Sequence, residues 1–234
     1  KYTILEDLVI EDITTDTSML SVVGPDAAEL VGLSPHQFSK DSLTVQSVTI
    51  NGIDTLAIEQ PLGSLSRYWL IVRPDNFVGL WQHLEERGAA SIGANAVNAI
   101  RINYGIPEYG PELGEPYNPL EAGLIGSVDF TKGCYIGQEV IARLDSYKKV
   151  KRHLVTLTFD NGAAVSSGDE LEQDGQPVGR VTSVAPESSD GVLKGLGYVK
   201  ATNASPGSKL TISGKQKVTA DILSLAQPYG PAKD

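Results

Sequence analysis

The last third of the chain constrains the fold most. Beyond residue 153 the sequence breaks into short apolar and β-branched runs, and none of them has a helical period. The predicted strands are residues 154–159, 176–184, 193–199, 209–212 and 217–223. Turns are predicted at Asn161-Gly162, Asp174-Gly175 and Ser213-Gly214. Short, regularly spaced strands without helices are typical of a small antiparallel barrel, so we expect a C-terminal β-barrel domain over residues 148–234.

The first 147 residues mix strand and helix patterns. Strands are predicted over residues 8–13, 19–23, 43–50, 53–59 and 67–73. Asn51-Gly52 predicts a tight hairpin, because both residues tolerate a positive φ. Helices are expected from Pro25 to Gly32, from a cap at Asp75 to Gly88, and over residues 96–104. The fold class is therefore α+β, with a mixed domain over residues 1–147 before the barrel.

A proline-rich segment follows the last of these helices. Between residues 105 and 119 lie Pro107, Pro111, Pro116 and Pro119, which break regular hydrogen-bonded ladders and predict a long loop. Long loops in compact domains are often functional. Two interpretations remain open for the tyrosines of this region: they line a ligand site, or they anchor the loop. These tyrosines are Tyr104, Tyr109 and Tyr117.

Composition excludes several classes of protein. The content of 41% hydrophobic and 21% charged residues is ordinary for a globular protein, and no apolar run reaches the length of a membrane span. The net charge of −10 disfavours nucleic acid as a partner, and the single cysteine excludes an internal disulfide. The spacing of His36, His83 and His153 predicts no metal site. We expect a cytoplasmic protein that does not bind membranes.

Basic residues concentrate between positions 132 and 152. Only Glu139 and Asp145 oppose them there. This basic island indicates either a surface for a polyanionic ligand or acidic partner, or a solvated linker. Its members are Lys132, Arg143, Lys148, Lys149, Lys151 and Arg152.

The only cysteine lies in the segment KGCYIGQE, residues 132–139. A lone cysteine is most often an inert small hydrophobe. Here Lys132 lies two positions before Cys134, and a helix is expected to begin at Gln138. An ammonium group and a helix N-terminus both stabilise a thiolate, so Cys134 is a candidate for a chemical role.

These eight residues resemble the signature K-G-C-Y-x-G-Q-E of the YgfZ-type folate-binding proteins, which are relatives of the glycine-cleavage T-protein (aminomethyltransferase). Residues 101–107 (RINYGIP) and 119–124 (PLEAGL) resemble that family's R-x-E-x-G-x-P and P-x-E-A-G-L segments, in the same order. Weaker resemblance extends over residues 23–30, 179–183 and 195–199. The motif residues are Lys132, Gly133, Cys134, Tyr135, Gly137, Gln138 and Glu139.

The resemblance implies a GcvT-like folate-binding α+β domain over residues 1–147, followed by the barrel. The family's first segment, which carries the aspartate implicated in aminomethyl transfer, has no counterpart between Lys1 and the matching region. We expect that the domain is partial and that the chain is a fragment; the alternative is a naturally short protein.

The resemblance also implies a tetrahydrofolate site with Asn103, Tyr104, Glu121 and Lys132 as cofactor-binding residues. The family places a glutamate where this chain has Asn103. A carboxylate accepts two hydrogen bonds from the guanidine-like edge of a pterin, whereas an amide offers one acceptor and two donors. Glu121 is expected either to supply the acidic partner instead or to cap a helix or lie at the surface.

Three functions follow from the resemblance. The first is a tetrahydrofolate-binding accessory protein that supports the assembly or repair of iron–sulfur enzymes, with Cys134 as the candidate catalytic group and iron–sulfur proteins as partners. The second is an aminomethyltransferase. The third is a non-catalytic scaffold that has lost folate binding. The basic island is interpreted as a surface for the folate tail or for a partner.

Overall fold

The computed structural model describes residues 9–33, 45–62, 65–146, 150–160, 162–186, 191–214 and 218–226. The chain divides into two compact units, residues 1–91 and 92–234. The domain boundary predicted between residues 147 and 148 falls outside the described residues and stays a prediction. Among the described helices, none is long and apolar enough to cross a membrane.

In its described residues, the first unit is a four-stranded antiparallel sheet with two α-helices. Strands β1 (Ser18–Gly24), β2 (Val45–Ile50), β3 (Ile53–Glu59) and β4 (Ser66–Val72) lie in the order β1-β4-β3-β2. Helices α1 (Ala27–Leu30) and α2 (Pro74–Glu86) contribute to the same core. Side chains alternate between the faces of a strand. The core therefore takes every second residue, such as Tyr68 and Leu70 of β4, together with Leu80 and Leu84 of α2.

The predicted hairpin is confirmed: Asn51 and Gly52 have φ of 49° and 77° between β2 and β3. The strand predicted over residues 8–13 is wrong, because residues 9–13 form no strand and a short 3₁₀ helix, Thr14–Asp16, follows them. Leu8, and residues 43 and 44 before β2, lie outside the described residues.

The predicted cap of α2 is also wrong. Arg73 occupies the N-cap position without a side-chain hydrogen bond, Pro74 begins the helix, and Asp75 lies inside its first turn. The fixed φ of proline is already helical, and its missing N–H is not needed at the first position, so the helix starts two residues earlier than a cap at Asp75 would allow.

The second unit contains a closed six-stranded antiparallel barrel of order β10-β5-β8-β7-β6-β9. Two helices precede it, α3 (Ala94–Asn103) and α4 (Gln138–Ser146), with a 3₁₀ turn at Ile125–Ser127 between them. The barrel strands are β5 (Arg152–Phe159), β6 (Glu170–Gln173), β7 (Gln176–Val184), β8 (Leu193–Lys200), β9 (Lys209–Ile212) and β10 (Thr219–Leu225).

The predicted barrel is confirmed, with one strand more than expected. The sequence analysis missed β6, because its four residues, ELEQ, include a single apolar side chain; β6 nevertheless pairs with both β7 and β9. Strand β10 begins at Thr219. It was predicted to begin at Lys217, which lies outside the described residues. Asn161 of one predicted turn also lies outside them.

The barrel packs side chains on both of its surfaces. One cluster of buried residues includes Val155, Leu157 and Val199. A second cluster takes neighbours from the same two strands, Leu154 and Tyr198, and adds Ile102 of α3. Because neighbouring residues of a strand face opposite sides, the second cluster lies on the outer surface. Helix α3 and the proline-rich segment are therefore built onto the outside of the barrel.

Candidate functional site

A buried carboxylate joins the proline-rich segment to α3 and the barrel. Glu112 is 0% exposed. One of its oxygens, Oε2, accepts hydrogen bonds from Arg101 Nη1 at 3.0 Å and from the Glu108 N–H at 3.1 Å, and Oε1 accepts one from Ser183 Oγ of β7 at 2.6 Å. Arg101 Nη2 also donates to Ser183 Oγ, over 2.8 Å. Each charge in this network is compensated, as burial of a charge requires.

A second buried carboxylate lies at Glu121, which is 4% exposed. Its Oε1 accepts from Arg152 Nε at 3.2 Å, and its Oε2 accepts from the Asn118 N–H at 3.3 Å. In return, Asn118 Oδ1 accepts from the Glu121 N–H at 3.0 Å. This reciprocal pair caps the turn that starts at Asn118, in the manner of a capping box. Of the two roles left open for Glu121, the structure shows a capping role at a buried position.

Aromatic side chains lie beside this ion pair. The rings of Tyr117 and Tyr198 stack at 3.8 Å and 13°, and the Arg152 guanidinium lies 4.9 Å from the centre of the Tyr117 ring. The Tyr198 hydroxyl donates to the Glu112 carbonyl over 2.9 Å. Burial raises the pKa of Tyr198, and the neighbouring Tyr117 and the Glu121 and Glu112 carboxylates raise it further. The Tyr198 hydroxyl therefore stays protonated, and Tyr117 holds the proline-rich loop in place by stacking on the Tyr198 ring.

A cavity of about 340 Å³ opens next to this stack. Its described lining includes Glu115, Tyr117, Glu121, Lys151 and Arg152. Two members of the basic island, Lys151 and Arg152, therefore lie at one cavity with a predicted site residue. The island's Lys148 and Lys149 lie outside the described residues.

Asn103 lies at the end of α3 and is exposed. Its Oδ1 accepts a hydrogen bond from Lys194 Nζ of β8 at 2.8 Å, so its amide oxygen is engaged. Tyr104, which follows, donates its N–H to the Ile100 carbonyl and ends the helix. The described lining of the cavity at Glu121 does not include Asn103 or Tyr104.

The cysteine loop is exposed and shaped by local hydrogen bonds. Asp129 Oδ1 accepts from the backbone N–H of Thr131 and of Lys132, at 2.8 and 3.2 Å. Gln138 Oε1 accepts from the Tyr135 N–H at 3.1 Å and so closes the turn that leads into α4. Cys134 lies between these two bonds as an exposed free thiol.

The other motif residues surround the thiol without burying it. Gly137 has φ of 90°, a conformation that favours glycine, and lets the loop enter α4. Lys132 Nζ lies 5.0 Å from the centre of the Tyr135 ring. Gly133 and Glu139 are exposed, Ile136 is 81% exposed, and α4 buries none of its residues. The motif therefore forms an accessible surface around Cys134, apart from the cavity at Glu121, whose described lining contains neither Cys134 nor Lys132.

No role in a site was predicted for Glu112, Ser183 or Arg152. Arg152 was noted only as one charge of the basic island, and Ser183 lies 71 residues from the carboxylate that it contacts. A glutamate inside a proline-rich loop has no periodic pattern that marks it as buried. The only sequence signal for this site was that Arg101 and Glu121 occupy positions that resemble family motifs.

Comparison with known proteins agrees with this architecture. Residues 2–132 match the family described as the GCVT N-terminal domain, and residues 152–227 match the glycine cleavage T-protein C-terminal barrel domain. The chain belongs to the glycine cleavage T-protein family. The expected GcvT-like fold, an α+β region followed by an antiparallel barrel, is thereby confirmed.

Three relatives within or near this family illustrate the similarity. A putative chloroplastic transferase of Arabidopsis thaliana is 30% identical over 99% of the chain, and an aminomethyltransferase of Halothermothrix orenii is 28% identical over 89%. The crystal structure of the glycine cleavage system aminomethyltransferase T of Bartonella henselae superimposes on 93% of the chain with a TM-score of 0.72 at 20% identity. The chain spans 54%, 60% and 61% of these proteins.

Proposed function

We propose that this member of the T-protein family is a tetrahydrofolate-binding accessory protein of the YgfZ type, which supports the assembly or repair of iron–sulfur enzymes. The observation that carries the proposal is the exposed Cys134 in a loop with the K-G-C-Y-x-G-Q-E pattern. An exposed thiol that no described residue covers is open to a protein partner, whereas a structural cysteine is normally buried.

The loop residues supply the chemistry of the proposed site. The turn closed by Gln138 places Cys134 just before the start of α4. The Lys132 ammonium is held over Tyr135 in the same loop. These contacts leave Cys134 accessible, and we propose that it is the group of this loop that the partner contacts.

Tetrahydrofolate is the ligand expected from the family, and the residues present differ in which of its atoms they match. Glu121 is buried and engaged by Arg152 and Asn118, so its carboxylate does not offer itself to a pterin. The Asn103 side chain carries an NH₂ donor, which matches the carbonyl and other acceptor atoms of a pterin but not its guanidine-like donor edge. We propose that Asn103 holds the acceptor side of the ring.

The accessory role is tested in cells that lack a YgfZ-type protein. Expression of this chain is expected to restore the activity of an iron–sulfur enzyme, and Cys134→Ala at the same expression level is expected not to. Tyr109→Phe is a matched control, because Tyr109 is an exposed residue away from the motif. Equal restoration by the wild type and Cys134→Ala would remove the thiol from the mechanism.

Aminomethyl transfer is the second candidate, and a specific observation favours it. Relatives named aminomethyltransferase match 89–95% of the chain at 24–28% identity. Glycine-cleavage activity of the protein, measured with a lipoyl-bearing carrier protein, would place this candidate first. Absence of tetrahydrofolate binding would instead favour the scaffold alternative.

A further inference from the structure

A second cavity, of about 450 Å³, opens in the first unit on one face of the four-stranded sheet. Its floor includes Leu56 of β3 and Ile71 of β4, which lie opposite each other in the register of these strands. Their neighbours Ala57 and Leu70 are buried in the core. Because neighbouring residues of a strand face opposite sides, Leu56 and Ile71 face away from the core. The cavity therefore has an apolar floor that the core does not cover, and Leu56 is 42% exposed.

Three charged side chains line the same cavity. Asp54 lies two residues before Leu56 on β3. Arg73 lies two residues after Ile71 and keeps an extended conformation, so each charge is on the face of the apolar floor. Asp16 ends the 3₁₀ helix that precedes β1. All three charged residues are exposed, and none of them forms an ion pair with a residue that the structure describes.

Hydroxyl groups complete the described lining. Thr49 of β2 lies opposite Asp54 and donates to its Oδ1 over 3.4 Å. Thr17 is half-buried, and Ser47 lies opposite Leu56. A hydroxyl both donates and accepts hydrogen bonds without adding charge. The cavity therefore offers both signs of charge, neutral hydrogen-bonding groups and an apolar surface.

These charges select among classes of ligand. An anion is attracted by Arg73 and repelled by Asp16 and Asp54, and a simple cation meets the reverse. A ligand with both an ammonium group and a carboxylate can place each group beside its opposite charge. A guanidinium binds a carboxylate through two parallel hydrogen bonds. An apolar side chain on such a ligand would cover Leu56 and Ile71.

We propose that this cavity binds a small zwitterion with an apolar side chain, of the hydrophobic α-amino acid class. The ammonium group lies at Asp54 and Asp16, the carboxylate at Arg73, and the side chain on the apolar floor. The volume of about 450 Å³ falls within the range of about 300–1,000 Å³ that is typical of small-molecule sites. The proposal goes beyond the proposed function, since the site is built from the first unit and involves neither tetrahydrofolate nor Cys134.

The test is titration of the ¹⁵N-labelled chain with L-phenylalanine, followed through the backbone amide shifts in two-dimensional NMR spectra. Shifts are expected at residues 54–56 and 71–73. L-phenylalaninamide lacks the carboxylate and is expected to bind about threefold more weakly. N-acetyl-L-phenylalanine lacks the ammonium group and is expected to bind about tenfold more weakly, because its carboxylate still meets two like charges.

Two variants assign the charges. Arg73→Gln is expected to weaken L-phenylalanine binding about fivefold and not to weaken binding of the amide. Asp54→Asn is expected to weaken binding of L-phenylalanine and of the amide about threefold, and not to weaken binding of the acetyl compound. Arg180→Gln, at an exposed arginine of β7 outside the described lining, is the control and should change none of the three. Thermal unfolding of each variant should match the wild type, because the substituted side chains are exposed.

Three outcomes would overturn the proposal. Equal affinities for L-phenylalanine and both analogues would show that its charges are not recognised. Binding that Arg73→Gln and Asp54→Asn both leave unchanged would place the zwitterion elsewhere on the chain. The absence of shifts at residues 54–56 and 71–73 up to about 10 mM L-phenylalanine would exclude the site. Each of these results leaves the proposed function standing, because neither the site residues nor the probes are those of tetrahydrofolate binding.

Discussion

Two segments of the second unit carry family motifs, residues 101–124 and residues 128–146. They differ in how far the fold buries their side chains. In the first segment Glu112 and Glu121 are buried. Glu112 accepts hydrogen bonds from Arg101 of α3 and Ser183 of β7. Glu121 accepts one from Arg152 of β5. In the second segment Cys134 is exposed and α4 buries no residue.

This difference separates two reasons why a residue belongs to a motif. The carboxylates of the first segment hold the chain onto the barrel, so their removal is expected to cost stability. The residues around Cys134 hold little of the fold together, so their presence calls for a chemical or binding role. We call the first the anchored segment (residues 101–124) and the second the exposed segment (residues 128–146).

The largest expected effect is the loss of the buried carboxylate. Glu112→Ala leaves Arg101 and Ser183 without their shared acceptor, and we expect the free energy of unfolding to fall by about 3 kcal/mol. Cys134→Ala, in the exposed segment, is expected to change it by less than about 0.5 kcal/mol. Urea unfolding followed by circular dichroism measures both; tryptophan fluorescence is unsuitable, because Trp69 and Trp81 lie in the other unit.

Two glycines offer a matched comparison of smaller size. Gly123 has φ of 75°, and an added Cβ would lie 3.0 Å from the Ala226 carbonyl oxygen. Gly133 has no atom within 4 Å of such a Cβ. Gly123→Ala is expected to destabilise the fold by about 1–3 kcal/mol, and Gly133→Ala by less than about 0.5 kcal/mol. Equal effects in thermal unfolding would contradict the distinction between the two segments.

Asn103 lies in the anchored segment but is exposed, so it should affect the ligand more than the fold. Asn103→Glu alone is expected to pair with Lys194 and to remove the amide donor proposed for the pterin, so tetrahydrofolate affinity should fall about threefold. In the double variant Asn103→Glu/Lys194→Ala the carboxylate is available for the donor edge of a pterin, and the affinity should be about tenfold higher than that of Asn103→Glu. Lys194→Ala alone is the control and should leave the affinity nearly unchanged, and an equal gain from it would contradict this expectation.

The smallest effect is a dependence on pH. Burial lowers the pKa of His153 below its ordinary 6.5, against the attraction of the Glu121 carboxylate, so folding favours the neutral imidazole. The unfolded chain then binds more protons, and stability falls as the pH drops from about 6.5 through the lowered pKa. His153→Gln should lose less stability than the wild type between pH 7 and pH 5. An identical loss would exclude His153 as a source of the dependence.

Local signals predicted the fold well. Asn51-Gly52 predicted its hairpin because a two-residue turn is fixed by its own sequence, and the barrel was predicted from strands and turns close together in the chain. The strand Glu170–Gln173 was missed because partners on both sides, not its own composition, make it a strand.

The site was less predictable, for a physical reason. Asn103 and Glu121 were identified from motif positions, but their partners Lys194 and Arg152 lie 91 and 31 residues away. Pairing at such distances depends on how α3 and the proline-rich segment pack on the barrel, which no local pattern encodes. Whether an acidic motif residue is free or engaged therefore required the structure.

The proposed function requires that the chain bind tetrahydrofolate and that Cys134 be free for a separate role. The decisive experiment is calorimetric titration of (6S)-tetrahydrofolate into the wild type and into Cys134→Ala. Saturable binding of equal affinity to both proteins is expected, because the exposed thiol contributes nothing to the proposed ligand site. Binding that is absent from both, or that is lost with the thiol, would contradict it.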